Sequence, residues 1–443
     1  MYEKTRAYLA KNIYPFHMPG HKRNAEFFPP DMHTLDLTEI SGMDTLSAPS
    51  GIIKEFSDKI AKIYGAKESF FLTNGSSAGI VAAICAVCDE NTIVYAPRNA
   101  HVSFYNGLAF SGAMPYYVYD ENAFDTMPRG AVAFVVSPTY EGFVYDIEAI
   151  AKKVHAKDGI LIVDEAHGAH FVFHDYFPKT ALQQGADIVI NSLHKTLPAI
   201  SGCAVLHTSR EFGRSAVSPK ATPHDPLSRL RFFINAMQTT SPSYMLMSAC
   251  DYMLDKLTPA LFEGYVRRLK RMRGVIGGFG DCKTSADPSK FFFRVRPPHT
   301  AEQVAEIARR DYKIEFEMAM GQNLLAMTSV ADTDEGFLRL ERAVCGLLSP
   351  RQGSVLENLD TALGNGVTPP NQMDNTILRH KPDIVMSPRE ALQHKTEWVT
   401  SDTAIGRISA ELYALYPPGH ALIVPGERIH LKVPKEYVQV ILA

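Results

Sequence analysis

Seven short apolar runs, each separated from the next by a helical stretch, constrain the fold of this chain more than any other feature. They lie between residues 51 and 290 and read ESFFLTNG, NTIVYAP, MPYYVY, GAVAFVVSPT, GILIVDEAH, ADIVINS and GCAVLHTS. Continuous Val- and Ile-rich strands that alternate with amphipathic helices are typical of a mostly parallel sheet covered on both faces. The pattern predicts a three-layer α/β/α large domain over about residues 51–290.

The sequence on either side of this region has a different composition. Residues 1–50 are rich in Pro, His and Gly and lack the apolar periodicity of a core, which predicts an arm that lies on another surface, either its own domain or a partner chain. Because the arm cannot bury Phe16, Phe27 and Phe28 alone, we expect it at a dimer interface. From residue 291 a strand, the helix TAEQVAEIARRDY and the strand NLLAMTSV predict a smaller C-terminal α/β domain over 291–443, interrupted by GNGVTPPNQMDN. Two or three domains also suit a chain of 443 residues.

Charge and hydropathy exclude several classes of partner. The 45 Lys and Arg residues nearly balance the 48 Asp and Glu residues, so no net charge draws the chain to nucleic acid or to an anionic membrane. The longest apolar run, AGIVAAICAVC, is too short to span a bilayer, and the start MYEKTRAYLAKN carries charges where a signal peptide is apolar. We therefore expect a cytoplasmic protein.

Neither the cysteines nor the histidines predict a metal site. Cys85 and Cys88 form a CxxC motif, but they lie in an Ala/Ile/Val helix with no second pair at zinc spacing, so we expect buried packing thiols. The HGAH motif at 167–170 follows a strand and does not match a standard zinc signature. We expect no metal.

Polar residues follow five of the predicted strands at the point where each strand ends. In doubly wound sheets the ligand lies beyond the carboxyl ends of the strands, so these residues predict the position of a site. They are Thr73–Ser77, Arg98–His101, Ser137–Tyr140, Asp164–His167 and Ser192–Lys195.

Three of these strand ends together predict a cofactor. Gly75-Ser76-Ser77 before a helix offers hydrogen-bond donors to an anion, although either serine could simply cap the helix. Pyridoxal phosphate needs an amine for its aldehyde, an acid facing its pyridine nitrogen, an anion site and a flat partner for its ring. Lys195 could supply the amine and Asp164 the acid. Phosphate donors and a stacking partner could come from Ser76, Ser77, Ser192, His194 and His101.

At this point the sequence resembles a known family, the Orn/Lys/Arg decarboxylases of fold type I, in the aspartate aminotransferase superfamily. The matching stretches span nearly the whole chain in the family's order: FHMPGHK, DLTEISGMDTL, FFLTNGSSAG, APRNAHVS, SPTYEG, VDEAHGAHF, NSLHKTL, QTTSPSY and YPPGHALIVPGE. The resemblance implies that Lys195 forms the Schiff base and Asp164 faces the pyridinium. It further implies that His101 stacks on the ring, Ala166 lies beneath it, His167 neighbours its reactive end, and Thr240 and Ser241 lie near the cofactor at a dimer boundary.

The reaction implied by this resemblance is the loss of CO2 from arginine, lysine or ornithine, which leaves agmatine or a diamine. Lys195 or His167 would then protonate Cα. A fold type I aminotransferase or lyase would use the same cofactor residues, and a non-catalytic regulator descended from a decarboxylase is a further alternative. Such a regulator would be expected to lose the lysine or the aspartate, and both are present.

The resemblance leaves the preferred amino acid open. Val102-Ser103 stands where Lys-Ser is commoner, and Thr45 stands where an acidic residue is common. The chain resembles the shorter branch of the family, without a receiver-like wing domain. We expect a dimer with shared active sites, in which Glu39 and Asp44 of the arm are candidates to meet the distal cation of the substrate.

Overall fold

The computed structural model describes residues 1–212, 225–275, 287–295, 297–348, 356–358, 381–415 and 419–442. In these ranges the chain forms an N-terminal arm, a large α/β unit, a smaller α/β unit and a C-terminal unit of short strands. The arm contains helix α1 (Tyr2–Leu9), strand β1 (Tyr14–Phe16) and 3-10 turns at Ala25–Phe27 and Met32–Leu35. The passage GNGVTPPNQMDN lies outside the described residues.

A seven-stranded sheet forms the centre of the large unit. Its strands are β2 (Glu68–Leu72), β3 (Ile93–Pro97), β4 (Met114–Val118), β5 (Val132–Val136), β6 (Ile160–Asp164), β7 (Ile188–Asn191) and β8 (Ala204–Thr208). Their order is β2-β8-β7-β6-β5-β3-β4, and all neighbours are parallel except β8, which is antiparallel to β2 and β7. Each apolar run of the sequence forms one strand, so the predicted α/β class is confirmed.

Helices cover both faces of this sheet. They are α2 (Ile52–Tyr64), α3 (Gly75–Val87), α4 (Val102–Ser111), α5 (Ile147–His155), α6 (Leu193–Thr196), α7 (Pro226–Ala236), α8 (Tyr244–Lys256) and α9 (Pro259–Val275). Successive strand residues point to opposite faces, so Phe134 packs with α3, α4 and α7 while Val135 packs with α5. Cys85 and Cys88 are buried as expected. In the described ranges no helix combines the length and the apolar content needed to cross a bilayer.

The smaller unit follows the large one in sequence. Its strands are β9 (Lys290–Val295), β10 (Ile314–Phe316), β11 (Met318–Met320), β12 (Asn323–Met327) and β13 (Leu356–Asn358), and its helices are α10 (Ala301–Ile307) and α11 (Asp334–Leu348). Four strands form an antiparallel sheet in the order β11-β12-β9-β13. Thr300 is the N-cap residue of helix α10 and forms a capping box with Gln303.

The arm packs on its own chain, which corrects one expectation. Strand β1 pairs in parallel with β10 of the smaller unit. Phe16 and Phe27 are only 0% and 3% exposed, within the core formed by residues of α2, α8, α9 and the smaller unit. The cover for these side chains therefore comes from later in the same sequence and not, as the dimer argument assumed, from a partner chain. A dimer interface at the arm stays a prediction.

The C-terminal unit comprises α12 (Pro388–Ala391), β14 (Thr396–Thr400), β15 (Tyr413–Leu415), β16 (His420–Ile423) and β17 (Tyr437–Ile441). The strands form two antiparallel pairs, β14 with β17 and β15 with β16. The unit has a small apolar cluster of its own, built around Leu422, Ile429 and Val440. The sequence from 291 onward thus contains two groups of strands, where the sequence analysis expected one small domain.

Candidate active site

Adjacent parallel strands bring Asp164 and Lys195 to one edge of the sheet. Asp164 is the last residue of β6 and aligns with Ile190 of β7. Strand β7 leads through Ser192 into the one-turn helix α6, which carries Lys195. The local sequence explains this arrangement, because apolar β-branched residues end where the chain leaves the sheet and polar residues begin.

Lys195 and His167, two predicted site residues, are in direct contact. Nζ of Lys195 lies 3.2 Å from Nε2 of His167. Burial lowers the pKa of Lys195, although the charges of Asp164 and Glu317 oppose this effect. Burial, aided by the charge of Lys195, lowers the pKa of His167 well below its usual range. A neutral imidazole therefore accepts a hydrogen bond from the amine, and its buried Nδ1 has no partner among the described residues.

Asp164 is a buried carboxylate, only 4% exposed. The backbone N–H of Ala166, which is equally buried, donates to Oδ1 of Asp164 at 3.0 Å. Burial raises the pKa of Asp164, while the charge of Lys195 and the hydrogen bond from Ala166 act in the opposite direction. A carboxylate in such a place is kept ionised by a cation that faces it.

The start of α3 offers an anion site next to these residues. Gly75 begins the helix with φ of +73°, which glycine adopts without strain. The hydroxyl of Ser192 donates to Oγ of Ser76 at 2.7 Å and so joins the first turn of α3 to the N-cap of α6. Ser77 is exposed, and His194 donates from Nδ1 to the carbonyl oxygen of Cys203 at 3.0 Å. The free N–H groups of the first helical turn suit a phosphate or carboxylate.

His101 has a fixed ring orientation. It is the N-cap residue of α4, and its Nδ1 accepts hydrogen bonds from the backbone N–H and the hydroxyl of Ser103, at 3.2 and 2.9 Å. Burial, with a further contribution from the charge of Lys195, lowers the pKa of His101 to about 4. The imidazole is therefore neutral and flat, as a stacking partner for an aromatic ligand should be.

Glu317 lies at this site although the sequence analysis missed it. Its Oε1 accepts from the hydroxyl of Tyr140 at 2.9 Å, and its Oε2 accepts from the backbone N–H of Met18 at 2.8 Å. The ring of Tyr140 meets the ring of His167 edge-on, with centroids 5.5 Å apart. The sequence signal that could have identified Glu317 is its position as an acidic residue within the largely apolar stretch KIEFEMAM, because a carboxylate in such surroundings requires a polar or cationic partner.

Lys290 is a buried lysine that the sequence analysis did not single out. It is 2% exposed, and its Nζ donates to the carbonyl oxygens of Thr139 and Tyr140, each at 2.9 Å. Burial lowers its pKa to about 8. Lys290 therefore fixes the turn that places Tyr140 beside His167.

Three predicted residues lie outside this cluster of contacts. Asp44 is buried, and the structure gives it a different function, as a cap for the start of α2. Its carboxylate accepts from the backbone N–H groups of Thr45, Ser50, Gly51, Ile53 and Lys54. Glu39 and Thr240 are exposed in the single chain. A contact of either with substrate or cofactor stays a prediction.

The second histidine of the HGAH motif, His170, lies apart from Lys195 and contacts a buried carboxylate. Nε2 of His170 lies 3.2 Å from Oδ1 of Asp287, and both side chains are buried. In the part of the chain that the structure describes, no group of three His, Cys, Asp or Glu side chains could hold a metal ion.

Comparison with known proteins gives consistent matches over most of the chain. A family model described as Orn/Lys/Arg decarboxylase, major domain, matches residues 1–127 and 121–276, and one described as the C-terminal domain of that family matches 371–442. The arginine decarboxylase of Bacillus subtilis (strain 168) is 28% identical over 469 residues, which cover 97% of this chain and 91% of that protein.

Solved structures share the fold. The lysine decarboxylase LdcF of Francisella novicida matches with a TM-score of 0.71 over 94% of this chain and 76% of that chain, at 17% identity. Lysine decarboxylase A of Pseudomonas aeruginosa matches with a TM-score of 0.70 over 99% of this chain and 81% of that chain, at 18% identity.

Proposed function

The chain belongs to the Orn/Lys/Arg decarboxylase family, and from this premise we propose that it uses pyridoxal phosphate to convert arginine into agmatine and CO2. Membership of the family, together with the near full-length similarity to arginine decarboxylases, makes the protein a decarboxylase of a basic amino acid, a lyase. Arginine is proposed as the substrate because several of these relatives are named for it.

The observation that carries the proposal is the arrangement of Lys195, His167 and Asp164: a partly buried amine 3.2 Å from a neutral imidazole, beside a buried carboxylate at the next strand end. This set fits pyridoxal phosphate, since Lys195 would hold the aldehyde carbon and Asp164 the protonated ring nitrogen. His101 and Ala166 would contact the two faces of the ring. The phosphate would be held by Gly75, Ser76, Ser77, Ser192 and His194.

When bound, the cofactor supplies an electron sink for the Cα–carboxylate bond. The protein's own residues control the protons. The lowered pKa of Lys195 increases the fraction of unprotonated amine, which is the form that would bond to the aldehyde carbon of the cofactor. Nζ of Lys195 can carry the proton that Cα receives, or Nε2 of His167 can deliver it after taking it from Nζ.

Glu317 is our candidate for the partner of the substrate's distal cation. Besides Asp164, it is the carboxylate that favours the charged form of Lys195, so its charge acts at the site. The hydroxyl of Tyr140 and the N–H of Met18 fix its orientation. A guanidinium that leaves water requires a carboxylate with such a fixed geometry.

We further propose that the enzyme is a cytoplasmic homodimer with shared sites. Thr240 supports this proposal, because it is exposed in the single chain although the segment before it lies against the anion site. The side-chain oxygen of Gln238 accepts the backbone N–H of Thr73 at 2.9 Å, and the amide of Asn74 donates to the carbonyl oxygen of Met237 at 2.9 Å. A second chain at this boundary would cover Thr240 and reach the cofactor.

Product analysis tests the proposal. The protein, supplied with pyridoxal phosphate, is incubated separately with arginine, lysine and ornithine, and products are identified by mass spectrometry. We expect agmatine and CO2 from arginine, and no turnover by Lys195→Ala. Borohydride reduction followed by peptide mapping should label Lys195 and not Lys290. A 2-oxo acid product would identify an aminotransferase, and no turnover of any of the three would identify a non-catalytic relative.

A further inference from the structure

The C-terminal unit contacts the candidate site of its own chain through a buried ion pair. Nη2 of Arg98 lies 2.7 Å from Oε2 of Glu427, and the two side chains are 6% and 5% exposed. The hydroxyl of Tyr117 donates to Oε1 of Glu427 at 2.6 Å and accepts from Nη1 of Arg98 at 3.0 Å. Both carboxylate oxygens of Glu427 therefore bind groups of the large unit.

Strand β16 makes two further contacts with the same segment. Nη2 of Arg98 donates to the carbonyl oxygen of Leu422 at 3.2 Å. His420 forms an antiparallel bridge with His101. Because His420 and Leu422 both belong to β16, one strand of the C-terminal unit holds both ends of the segment from Arg98 to His101.

The ion pair between Arg98 and Glu427 is suited to fixing the position of Arg98. Two charges that leave water lose their hydration, so a buried ion pair adds little net stability and is best suited to selecting one geometry. The planar guanidinium of Arg98 donates in fixed directions, here to Glu427, Tyr117 and Leu422. The hydroxyl of Tyr105 in turn donates to the carbonyl oxygen of Arg98 at 2.9 Å, which fixes its backbone.

We propose that Glu427 is a positioning residue that sets the place of His101 through Arg98. The inference rests on the proposed function, in which His101 stacks on pyridoxal phosphate. Arg98 lies three residues before His101, and His101 caps α4. A displacement of Arg98 therefore moves the start of α4 and tilts the imidazole against the cofactor ring. The C-terminal unit thereby completes the cofactor site.

The test is Glu427→Gln in the full-length protein. Glutamine keeps the shape and one acceptor oxygen but leaves the buried guanidinium without a counter-charge. Cofactor-free protein is titrated with pyridoxal phosphate, and the visible circular dichroism is then recorded at saturation, per bound cofactor. We expect the affinity to fall roughly tenfold, as for other groups that orient a ligand's direct contacts, and the dichroic band to change. A purely structural role would leave the saturated spectrum unchanged.

Two controls separate this inference from the proposed function. Glu397→Gln removes another charge partner within the C-terminal unit, that of Arg407 at 2.7 Å, and should leave affinity and spectrum at wild-type values. His101→Ala should lower the affinity by itself. If His101→Ala has no effect, the stacking assignment fails. If His101→Ala has an effect and Glu427→Gln has none, the positioning inference alone is overturned.

Tyr117→Phe covers the case in which Glu427→Gln does not fold. It keeps the ion pair but removes the donor to Oε1 of Glu427 and the acceptor for Nη1 of Arg98. We expect a smaller change in the same direction in both measurements. A folded Tyr117→Phe with wild-type affinity and spectrum, alongside an unfolded Glu427→Gln, would mean that the pair serves stability and not position.

Discussion

The backbone N–H of Gly20 lies 2.8 Å from the carbonyl oxygen of His194, the residue immediately before Lys195. The N-terminal arm therefore touches the turn that carries the proposed catalytic lysine of its own chain. The carbonyl oxygen of Gly20 accepts from the hydroxyl of Ser329, which lies in the smaller unit. The arm thus links the lysine turn to the smaller unit at a single residue.

Replacement of Gly20 by alanine should disturb the lysine turn and so lower the activity. A Cβ on Gly20 would lie 2.6 Å from the carbonyl oxygen of Leu197 and 3.2 Å from its backbone N and C, so the backbone of α6 must shift. We expect kcat to fall roughly 10- to 100-fold, because small displacements of a reacting group have effects of this size. Gly274→Ala, where a Cβ meets nothing within 4 Å, is the matched control and should leave kcat unchanged. Equal kcat in both variants would refute the link.

Asp164→Asn should lower the rate without unfolding the protein. The variant keeps an oxygen for the N–H of Ala166 but loses the charge that would face the pyridine nitrogen. We expect kcat to fall roughly 10²-fold or more. Asp187→Asn is the control: this buried carboxylate precedes β7, at the opposite end of the strand, and accepts the N–H of Leu161. It should lose stability and keep kcat. Near-normal turnover by Asp164→Asn would show that another group faces the ring.

Asp44→Ala should lower stability in a pH-dependent way. Although burial acts the other way, hydrogen bonds from the backbone hold the pKa of Asp44 below its ordinary value of 3.8. Its contribution to stability is therefore fully present above that value and is lost as the pH falls through the lowered pKa of the folded state. At neutral pH we expect the free energy of unfolding to fall by about 1–2 kcal/mol, as for other helix caps. Urea unfolding of both proteins at a series of pH values measures the difference, which should shrink in acid.

Asp44→Ala also tests whether the arm carboxylates Asp44 and Glu39 bind the substrate. If Asp44 only caps α2, the KM for arginine should stay at its wild-type value in Asp44→Ala. Glu39→Gln provides the comparison, because Glu39 is exposed and its loss should leave stability unchanged. A raised KM in one variant alone would identify that residue as a substrate contact.

Mixed dimers test whether the sites are shared. Lys195→Ala and Thr240→Ala chains, each inactive alone, are mixed and allowed to exchange subunits. If Thr240 serves the neighbour's site, a mixed dimer carries both lesions in one site and leaves the other intact. Activity should then recover toward roughly a quarter of wild type under random exchange. With exchange demonstrated and both parents inactive, the absence of recovery would mean that each chain builds its own site.

The large sheet could be predicted from the sequence because its signal is local. Runs such as ILIVD and IVIN contain the residues that a fully buried strand requires, and the structure forms β6 and β7 there. The placement of Asp164 and Lys195 at one edge of the sheet could also be predicted from the sequence, because neighbouring parallel strands end at the same edge. These inferences need only the sequence near each residue and the general rule for doubly wound sheets.

The remaining parts depend on contacts between distant segments. Glu317 meets Tyr140 and Met18 only because the smaller unit packs against the large unit and the arm. Cover for Phe16 was expected from a partner chain because the arm cannot bury this side chain alone, and local sequence does not reveal that the β1 strand pairs with β10 about 300 residues later. The helix-capping contact of Asp44 did have a local signal, because this acidic residue and Ser50-Gly51 precede an amphipathic helix. The sequence analysis instead took its charge as a possible partner for the substrate's cation.

The pairing of β1 with β10 also sets an order for folding during synthesis. Tyr14 aligns with Ile314, so Phe16 leaves the ribosome tens of seconds before the strand that pairs with its own, at translation rates of about 5–20 residues per second. The large sheet is complete at β8, well before that time. The partner strand of β1 is therefore added only after all strands of the large sheet have left the ribosome. The hydroxyl of Ser329, which donates to the carbonyl oxygen of Gly20, also becomes available only at this stage, so the nascent large unit alone lacks the link between the lysine turn and the smaller unit.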